Sequence, residues 1–565
     1  MVYFSRKRKT VPAAVSGTAS SLKACKEETR MSRVFNINGD CKPDLHYMVD
    51  LHSRLEAIKG MIDEGQYFTI NRARQYGKTT TLRALKEYLK DTYHVISMDF
   101  QVQMSYAKFR SENTFSLAFA KAFIRSLRSR GISLHSGMRD AVQCLDKAVR
   151  EDSEALELVE LFQYLSDICR ESDKPLVLMI DEIDSAANNQ VFLDFLSQLR
   201  GYYIDRDQSP TFQSVILAGV YDVKNLKRKF RPEEAHKTNS PWNIAMDFSL
   251  DMSFSPKEIA GMLEGYAQER QVNMDVGEIA GLLYEYTSGY PYLVSRLCKS
   301  MDEKNAGKNA SQDPPEDWSR EGFLEAVKLL LNEKNTLFDS LTGKLEDYPE
   351  LRDMLYLLLF QGQSIAYNPD NPVMDMAQML GFVKVSEGSL VIANRIFETR
   401  LYNLFLTLPQ VQGMDIYQAA CRDKNQFIRE GHLDMRLIME RFVVFFDEIY
   451  GDRGERFYEE DGRRYFMLYL RPIINGGGNY YIEARTRDME RTDLIVDYHG
   501  EQFIIELKLW RGKARHQAGE EQLADYLDHY HARTGYLLTF NFNRKKEMGV
   551  RDVRVRDKML VEAFV

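Results

Sequence analysis

A short segment that combines glycine, lysine and threonine has the residue types that bind a nucleotide phosphate. It reads NRARQYGKTT, residues 71–80, and its Gly77-Lys78-Thr79 end fits the pattern G-x-x-x-x-G-K-[ST]. Backbone N–H groups at a helix start bind phosphate oxygens, Lys78 can neutralise the β- and γ-phosphates, and the Thr79 hydroxyl can ligate Mg²⁺. Arg72 stands where the pattern has its first glycine, so an ordinary strand-to-helix turn is the alternative interpretation.

An acidic pair ends an apolar run farther along the chain. The stretch LVLMIDEID puts Asp181 and Glu182 at the carboxyl end of a predicted buried strand, where open α/β sheets bind ligands. Asp181 could hold Mg²⁺ through water, and Glu182 could polarise the attacking water. Solvation at a sheet edge would also explain such a pair. Together with the GKT loop, it favours ATP hydrolysis with ATP and Mg²⁺ as cofactors.

Charged residues near the C-terminus indicate a second reaction. The stretch DLIVDYHGEQFIIELKLW predicts two strands joined by a turn, with Asp493 opening the first strand and Glu506 and Lys508 in the second. Residues two apart share one face of a strand, so Glu506 and Lys508 point the same way. Carboxylates that fix Mg²⁺ beside a phosphodiester, with a nearby cation, are what a nuclease needs. A simple ion pair between Glu506 and Lys508 is the alternative.

The predicted helix and strand on either side of this pair add further candidates. In GEEQLADYLDHY, Gln522 and Tyr526 are spaced i, i+4 and therefore lie on one helical face. Upstream, NYYIEARTRDMERTDLIV offers Glu483 as another carboxylate.

These residues need two kinds of scaffold to position them. From about Arg33, apolar strands alternate with helices, which predicts a parallel sheet with helices on both faces. Beyond Ser255 helices take over, and from DMLYLLLFQG onward the order helix, helix, small hairpin, helix is winged-helix-like. LTLPQVQGMD then predicts a linker, and the last part becomes strand-rich.

The P-loop region resembles the AAA-ATPase-like family of bacteria and archaea, which is related to the STAND and AAA+ ATPases. Its members carry an Arg-rich loop of the form R-P-R-R-F-G-K-[ST], which Arg72 and Arg74 match, while Ala73, Gln75 and Tyr76 replace Pro, Arg and Phe. The resemblance makes the missing glycine a family trait. VILAGVYDV resembles the family's sensor strand, and SGYPYLVSRL resembles the Gly-x-Pro segment of the helical lid. The implied nucleotide-binding residues are Arg74, Gln75, Tyr76, Gly77, Lys78, Thr79, Thr80 and Asp181.

The C-terminal stretch resembles the PD-(D/E)XK nuclease superfamily, whose signature is Asp…Glu-x-Lys. The Gln522 and Tyr526 spacing is similar to the exonuclease-like branch, in which such residues contact the substrate end or support the lysine. In C-terminal domains of this ATPase family, a Gly-Arg-x-Asp motif precedes the strand, but residues 490–493 read Glu-Arg-Thr-Asp. The implied metal ligands are Thr79 and Asp181 in the ATPase and Glu483, Asp493 and Glu506 in the nuclease. The implied catalytic residues are Glu182, Asp493, Glu506, Lys508, Gln522 and Tyr526.

The predicted fold class is therefore α/β: a P-loop parallel-sheet ATPase with a helical lid and a winged-helix-like segment, plus a C-terminal α/β PD-(D/E)XK nuclease fold. The predicted division is a disordered tail at 1–34, a P-loop AAA-like domain at 35–255, a helical lid at 256–345, a winged-helix-like segment at 346–410 and a nuclease-like domain at 411–565.

Composition limits the other possibilities. The net charge of −8 over 565 residues argues against binding polyanions over the whole surface, so nucleic acid would contact local basic patches. Six scattered cysteines without a C-x-x-C pair fit a reducing cytoplasm. No apolar run has the ~18 residues of a membrane helix. We expect a cytoplasmic protein with no membrane partner, whose partner is nucleic acid, with DNA favoured, and whose ATPase domain is a candidate for homo-oligomerisation.

Two other functional classes stay open at this level. One is a signalling or defence switch in which nucleotide binding changes assembly and the C-terminal domain binds nucleic acid without cutting it. The other is a mobile-element or restriction-type component that needs a partner.

Overall fold

A five-stranded parallel sheet organises the N-terminal half of the chain. The computed structural model describes residues 33–128, 134–151, 154–186, 189–220, 242–305, 318–360, 365–450, 459–475, 478–481, 494–499, 501–530, 532–543 and 546–565. The strand order is β2-β3-β4-β1-β5, and every neighbouring pair is parallel. The strands are β1 (Phe68–Asn71), β2 (His94–Asp99), β3 (Leu176–Asp181), β4 (Ser214–Gly219) and β5 (Met246–Asp247). The predicted parallel α/β sheet is thus confirmed.

Helices cover both faces of this first sheet. Its central strands are fully buried, which explains their near-continuous apolar sequence. Ile70 and Ile216 join one apolar cluster, and Leu178 and Leu217 join the cluster on the opposite face. Between β2 and β3 the sequence predicts two long helical regions. The described residues there form three long α-helices and one short α-helix. The helices are α1 (His52–Asp63), α2 (Lys78–Leu89), α3 (Phe100–Gln103), α4 (Glu112–Arg128), α5 (Ser136–Glu151), α6 (Leu158–Arg170) and α7 (Gln190–Ile204).

A helical region follows the first sheet. Its first helix begins at a capping box, in which Ser255 and Glu258 satisfy each other's backbone N–H groups and Pro256 occupies the first turn. A small antiparallel hairpin interrupts the helices near their end. The elements are α8 (Pro256–Arg270), α9 (Val276–Thr287), α10 (Pro291–Asn305), α11 (Arg320–Asn332), α12 (Thr336–Asp347), α13 (Pro349–Phe360), α14 (Pro372–Met379), β6 (Val383–Ser386), β7 (Ser389–Ile392) and α15 (Arg395–Phe405).

The C-terminal part contains a six-stranded mixed sheet, in the order β10-β11-β12-β13-β15-β14. Strands β12, β13 and β15 run parallel, and the other neighbouring pairs are antiparallel. The helices are α16 (Pro409–Gln412), α17 (Asp415–Asp423), α18 (Met435–Tyr450), α19 (Glu459–Ile474) and α20 (Lys513–His529). The strands are β8 (Ile428–Arg429), β9 (His432–Leu433), β10 (Gly478–Tyr481), β11 (Leu494–Tyr498), β12 (Glu501–Leu509), β13 (Thr534–Phe540), β14 (Gly549–Val555) and β15 (Lys558–Phe564).

The two faces of the mixed sheet belong to different cores. Ile504 and Leu537 pack in one small cluster with Leu523 of α20. Ile505 and Leu507 belong to a larger cluster that also contains residues of α18 and α19. This alternation follows from the two-residue period of a strand. Helix α20 therefore covers the face that carries Glu506 and Lys508.

The predicted linker after α15 is not an exposed connection. It contains the short helix α16, and Val411 is only 3% exposed. Val411 belongs to an apolar cluster that also includes Phe382 beside the hairpin and Phe442 of α18. The winged-helix-like segment and the C-terminal part therefore share one core. The division of the chain into five units stays a prediction.

The mixed sheet also touches the helical region that the sequence predicts to be a lid, called the lid below. Lys328 Nζ of α11 lies 3.8 Å from Asp497 Oδ1 of β11, and the Arg320 guanidinium stands 5.0 Å from the centre of the Tyr530 ring. Ile495 of β11 belongs to the apolar cluster of the first sheet and the lid. These contacts connect the two halves of the chain mechanically.

We predict that Gly289→Ala strongly destabilises the protein. Gly289 has φ +71°, and a Cβ there would lie 2.0 Å from the Phe254 carbonyl oxygen, which must move. The left-handed backbone adds about 1–2 kcal/mol of strain. Gly281→Ala is the matched control, because Gly281 lies within α9 and a Cβ added there would meet nothing within 4 Å. Urea unfolding should show a clear loss only for Gly289→Ala, and equal stabilities for the two variants would contradict this explanation.

Candidate functional site

The GKT loop joins the end of β1 to the first turn of α2, as the sequence predicts. Strand β1 ends at Asn71, and α2 begins at Lys78 with Gly77 as its N-cap. Gly77 has φ +81° and Gln75 has φ +58°, so two residues of the loop adopt the left-handed conformation just before the helix. A helix that starts directly after such a loop presents free backbone N–H groups, which suit phosphate oxygens.

Lys78 is folded back over the loop and is only 6% exposed. Its Nζ donates hydrogen bonds to the carbonyl oxygens of Arg72, at 2.9 Å, and Ala73, at 3.0 Å. Burial lowers the pKa of Lys78, while the nearby carboxylates of Asp184, Glu182 and Asp181 oppose that shift. The ammonium is thus held at the helix start, where a phosphate would be its natural partner.

Thr79 and Asp181 connect the loop with the acidic strand. The Thr79 hydroxyl donates a 2.7 Å hydrogen bond to Asp181 Oδ2, and the backbone N–H of Glu182 donates to Asp181 Oδ1 at 2.9 Å. Burial raises the pKa of Asp181, although both hydrogen bonds oppose it. A hydroxyl and a carboxylate at this spacing form a donor set that fits Mg²⁺.

Glu182 adopts an unusual backbone conformation beside this pair. Its φ of +54° places a non-glycine residue in the left-handed region, which costs free energy and is common at functional sites. Burial, followed by the negative charge of Asp181, raises the pKa of Glu182. Two residues later, Asp184 Oδ2 accepts the N–H of Val220 at 2.8 Å, so the segment after the acidic strand is joined to the end of β4.

Arg72 explains how the loop keeps its shape without the usual glycine. Its guanidinium donates to the backbone carbonyls of Asn71 at 2.8 Å, Leu250 at 2.7 Å and Phe248 at 3.3 Å. It also lies 5.4 Å from the centre of the Phe248 ring. Burial lowers the pKa of Arg72. The side chain ties the loop to the segment after β5, so its role here is structural.

The remaining loop residues contact the lid and the segments around it. The Tyr290 hydroxyl donates to the Arg74 carbonyl, and the Tyr76 ring packs edge-on against Tyr290 at 4.6 Å. Gln75 Nε2 donates to the Thr336 hydroxyl of α12 at 3.1 Å.

On the other side of the loop, the Thr80 hydroxyl accepts the backbone N–H of Cys41 at 3.1 Å. The predicted residues from Arg74 to Thr80 therefore form one surface, but several of their polar groups contact protein.

A cavity of 790 Å³ lies behind the loop. Among the described residues, its lining includes Asn71, Arg72 and Tyr76, but not Lys78 or Asp181. The charged groups at the start of α2 and the end of β3 thus do not line this cavity, and we do not assign it to phosphate.

In the C-terminal part, Glu506 and Lys508 form a close ion pair. Glu506 is fully buried, and Lys508 Nζ lies 2.5 Å from its Oε1. Lys508 also packs near Gly519 of α20, where an added Cβ would lie 3.6 Å from Lys508 Cε. Gln522 and Tyr526 are half-buried on the same helix. Asp493 and Glu483 lie outside the described residues.

A group that the sequence analysis missed lies on the same face of the sheet, two strands away from Glu506. His516 Nε2 of α20 lies 3.1 Å from Glu562 Oε1 and 3.4 Å from Glu520 Oε1, and Arg551 binds the other oxygen of Glu562. Burial, with the neighbouring Glu562 carboxylate, raises the pKa of Glu520. The sequence signals were the i, i+4 spacing of His516 and Glu520 and a glutamate inside the apolar run KMLVEAFV.

The N-terminal site lies within a region that is similar to a known family of domains. Residues 45–310 match a family model described as an AAA-like domain. These residues form an AAA-like P-loop domain. The coarser part of the N-terminal resemblance, that to AAA-like P-loop domains, is thereby confirmed. The relation to STAND ATPases and the C-terminal resemblance to nucleases stay predictions. Among the described residues, no helix of the protein is long and apolar enough to cross a bilayer.

Three solved structures illustrate the similarity of the fold. A Walker-type ATPase of Pyrococcus abyssi is 14% identical over 65% of this chain and 99% of its own, with a TM-score of 0.45. The ORC2 protein of Aeropyrum pernix, in ADPNP–ADP complexes, is 14% identical over 67% and 99%, with a TM-score of 0.39. RuvB of Thermotoga maritima, a Holliday junction branch migration motor, is 14% identical over 64% and 95%, with a TM-score of 0.31. Such distant likenesses carry no argument about activity.

A search of curated proteins found no match to the chain. The roles of individual residues in the AAA-like domain therefore depend on the geometry of the site itself.

We predict that Glu182→Gln stabilises the nucleotide-free AAA-like domain at neutral pH. Because the folded-state pKa of Glu182 is raised above its ordinary 4.5, ionisation costs folding free energy. That cost is full above the folded-state pKa and vanishes as the pH falls below 4.5. Since Glu182 is only half-buried, the gain should stay below about 1 kcal/mol.

The measurement is thermal unfolding of the parent and the variant across the acidic range. Glu264→Gln on the exposed side of α8 is the control for removing one negative charge. A lower midpoint for Glu182→Gln at neutral pH, or a gain that persists in acid, would show that burial of charge is not the cause.

Proposed function

We propose that the AAA-like domain binds ATP with Mg²⁺ and hydrolyses it. The observation that carries this proposal is the meeting of Lys78, Thr79 and Asp181 at the carboxyl end of a parallel sheet, with the 2.7 Å bond between Thr79 and Asp181. Lys78 would bind the β- and γ-phosphates, and Thr79 and Asp181 would hold the cation. Mg²⁺ would supply charge neutralisation of the phosphates. Glu182, next to Asp181, would orient and polarise the attacking water.

The test of this site is nucleotide binding and turnover. Lys78→Ala should lower ATP turnover by at least about 100-fold, because one fixed positive charge at the transferring phosphate is lost. Thr79→Ser should stay active, since it keeps the hydroxyl, whereas Thr79→Ala should not. Lys90→Ala, at the exposed far end of α2, is the matched control. Full turnover in Lys78→Ala would refute the assignment.

We further propose that the C-terminal part is a Mg²⁺-dependent nuclease that cuts DNA. The supporting observation is the ion pair between the buried Glu506 and the partly exposed Lys508 on the face that α20 covers. Glu506 with Asp493 and Glu483 would hold the cation, and Lys508 would stabilise charge on the phosphate. Gln522 and Tyr526 lie on the covering helix and would contact the end of the substrate.

Cleavage assays on duplex DNA, single-stranded DNA and RNA test this second activity. The parent should cut DNA with Mg²⁺, and Glu506→Gln should lose at least about 100-fold of the rate, because a cation ligand is removed. Glu501→Gln is the matched control, because Glu501 begins the same strand and its side chain is exposed. Absence of cleavage by the parent, or cleavage retained in Glu506→Gln, would refute the nuclease proposal.

A nucleotide-dependent switch is the second candidate function. It is favoured by the contacts that the loop makes with other segments: Tyr290 of the lid with Arg74, and Thr336 of α12 with Gln75. ATP would then alter the lid and, through α11, the mixed sheet or the assembly of copies of the chain. Lys78→Ala would change DNA cleavage as well as ATP turnover if the two sites are coupled. ATP-dependent assembly without any cleavage would favour the switch alone.

A further inference from the structure

Three metal-ligating side chains meet beneath the start of α20, apart from the Glu506–Lys508 pair. His516 and Glu520 lie one helical turn apart on α20, and Glu562 lies on β15. One ligand atom from each lies within 4.8 Å of the other two. Glu562 is fully buried and His516 is 8% exposed, so this is a feature of the interior rather than of a solvated acidic surface.

Two carboxylates face one imidazole nitrogen at distances that ligands of a shared ion would have. His516 Nε2 faces Glu562 Oε1 at 3.1 Å and Glu520 Oε1 at 3.4 Å. A neutral imidazole Nε2–H has one proton and can donate it to only one of these oxygens. Ligand atoms about 2.1 Å from a common ion lie roughly 3.0–3.4 Å apart in octahedral or tetrahedral geometry. The two imidazole–carboxylate distances therefore suit ligands of a single cation, and the third ligand pair lies within 4.8 Å.

Neighbouring groups hold these ligands in their orientation. Arg551 donates from Nη2 at 2.8 Å and from Nε at 2.9 Å to Glu562 Oε2, which leaves Oε1 to face the imidazole. The rings of Trp510 and Phe564 each lie 5.1 Å from the His516 ring. Such support around a ligand is typical of metal sites, because it fixes the ligand atom before the ion arrives.

The site is distinct from the predicted nuclease centre. Glu506, Leu537 and Glu562 are aligned across β12, β13 and β15, so the two glutamates are two strand spacings apart, roughly 10 Å. Two ions that act on one phosphate lie only about 3.5–4 Å apart. An ion at Glu562 would therefore be separate from an ion at Glu506.

We propose that His516, Glu520 and Glu562 bind a first-row transition-metal cation. An imidazole nitrogen favours such a metal over Mg²⁺, and two carboxylates accept Mn²⁺ as well as Zn²⁺. Three protein ligands leave at least one position for water. The ion would join α20 to β15 and so fix the helix that packs on Lys508 and carries Gln522 and Tyr526. It is a second metal site within the C-terminal part and does not depend on nuclease activity.

The test is a metal titration of the full chain, freed of metal with a chelator and kept without nucleotide. Mn²⁺ is the first probe, because thiolates of the six cysteines select softer ions, and Zn²⁺ is the second. Calorimetry and the Mn²⁺ electron paramagnetic resonance signal should report one equivalent at this site. The affinity of this site for the metal should fall at least about 100-fold in His516→Ala and in Glu520→Gln. Metal should also raise the melting temperature of the parent.

Two further variants make the outcome decisive. Glu521→Gln changes the adjacent residue of α20, which pairs with Arg556 at the surface, and should bind metal like the parent. Glu506→Gln should also keep this equivalent. Loss of it in Glu506→Gln, with retention in Glu520→Gln, would overturn the proposal and support the nuclease centre instead. No saturable binding of either metal would identify the cluster as a metal-free ion-pair network.

Discussion

The hydrogen bond from Thr79 to Asp181 is the contact on which the N-terminal site depends. It joins the first turn of α2 to the end of β3 at 2.7 Å, so the phosphate-binding loop and the acidic strand keep a fixed separation. Lys78 bonds to loop carbonyls of Arg72 and Ala73. The charged groups of the site are thus held in position. Burying their charge costs free energy, which raises the pKa values of Asp181 and Glu182. Burial strengthens their interaction with a bound cation.

Arg72 and Tyr290 show how the same loop is tied to the rest of the molecule. Arg72 holds its inner side against Phe248 and Leu250, and Tyr290 holds its outer side from the lid. Gly289 permits this lid contact, because its backbone passes so close to Phe254 that a side chain would collide. Movement of the loop would therefore directly alter its contacts with the lid. Helix α11 of the lid in turn contacts β11 of the mixed sheet.

The mixed sheet carries two fully buried glutamates, Glu506 and Glu562, on one face. Glu506 is offset by Lys508, and Glu562 is offset by Arg551 and His516. Buried charges are stable only when they are paired, and removing one partner costs several kcal/mol. The arrangement concentrates ionisable groups beneath α20, although apolar residues at these positions could stabilise the fold equally well. That excess of polar groups is the reason to look for bound cations in this part of the chain.

The sequence by itself determined the local parts of this protein. Strand, loop and helix around Gly77 follow from hydrophobic period and residue type, and the shared face of Glu506 and Lys508 follows from the two-residue repeat of a strand. These features depend on neighbours in sequence. Only the tertiary structure decided that Arg72, at the position of the missing glycine, bonds carbonyls 176 and 178 residues away. It also decided that the predicted linker at Val411 is core. The meeting of His516 with Glu562 depends on strand order and helix packing, which no local pattern encodes.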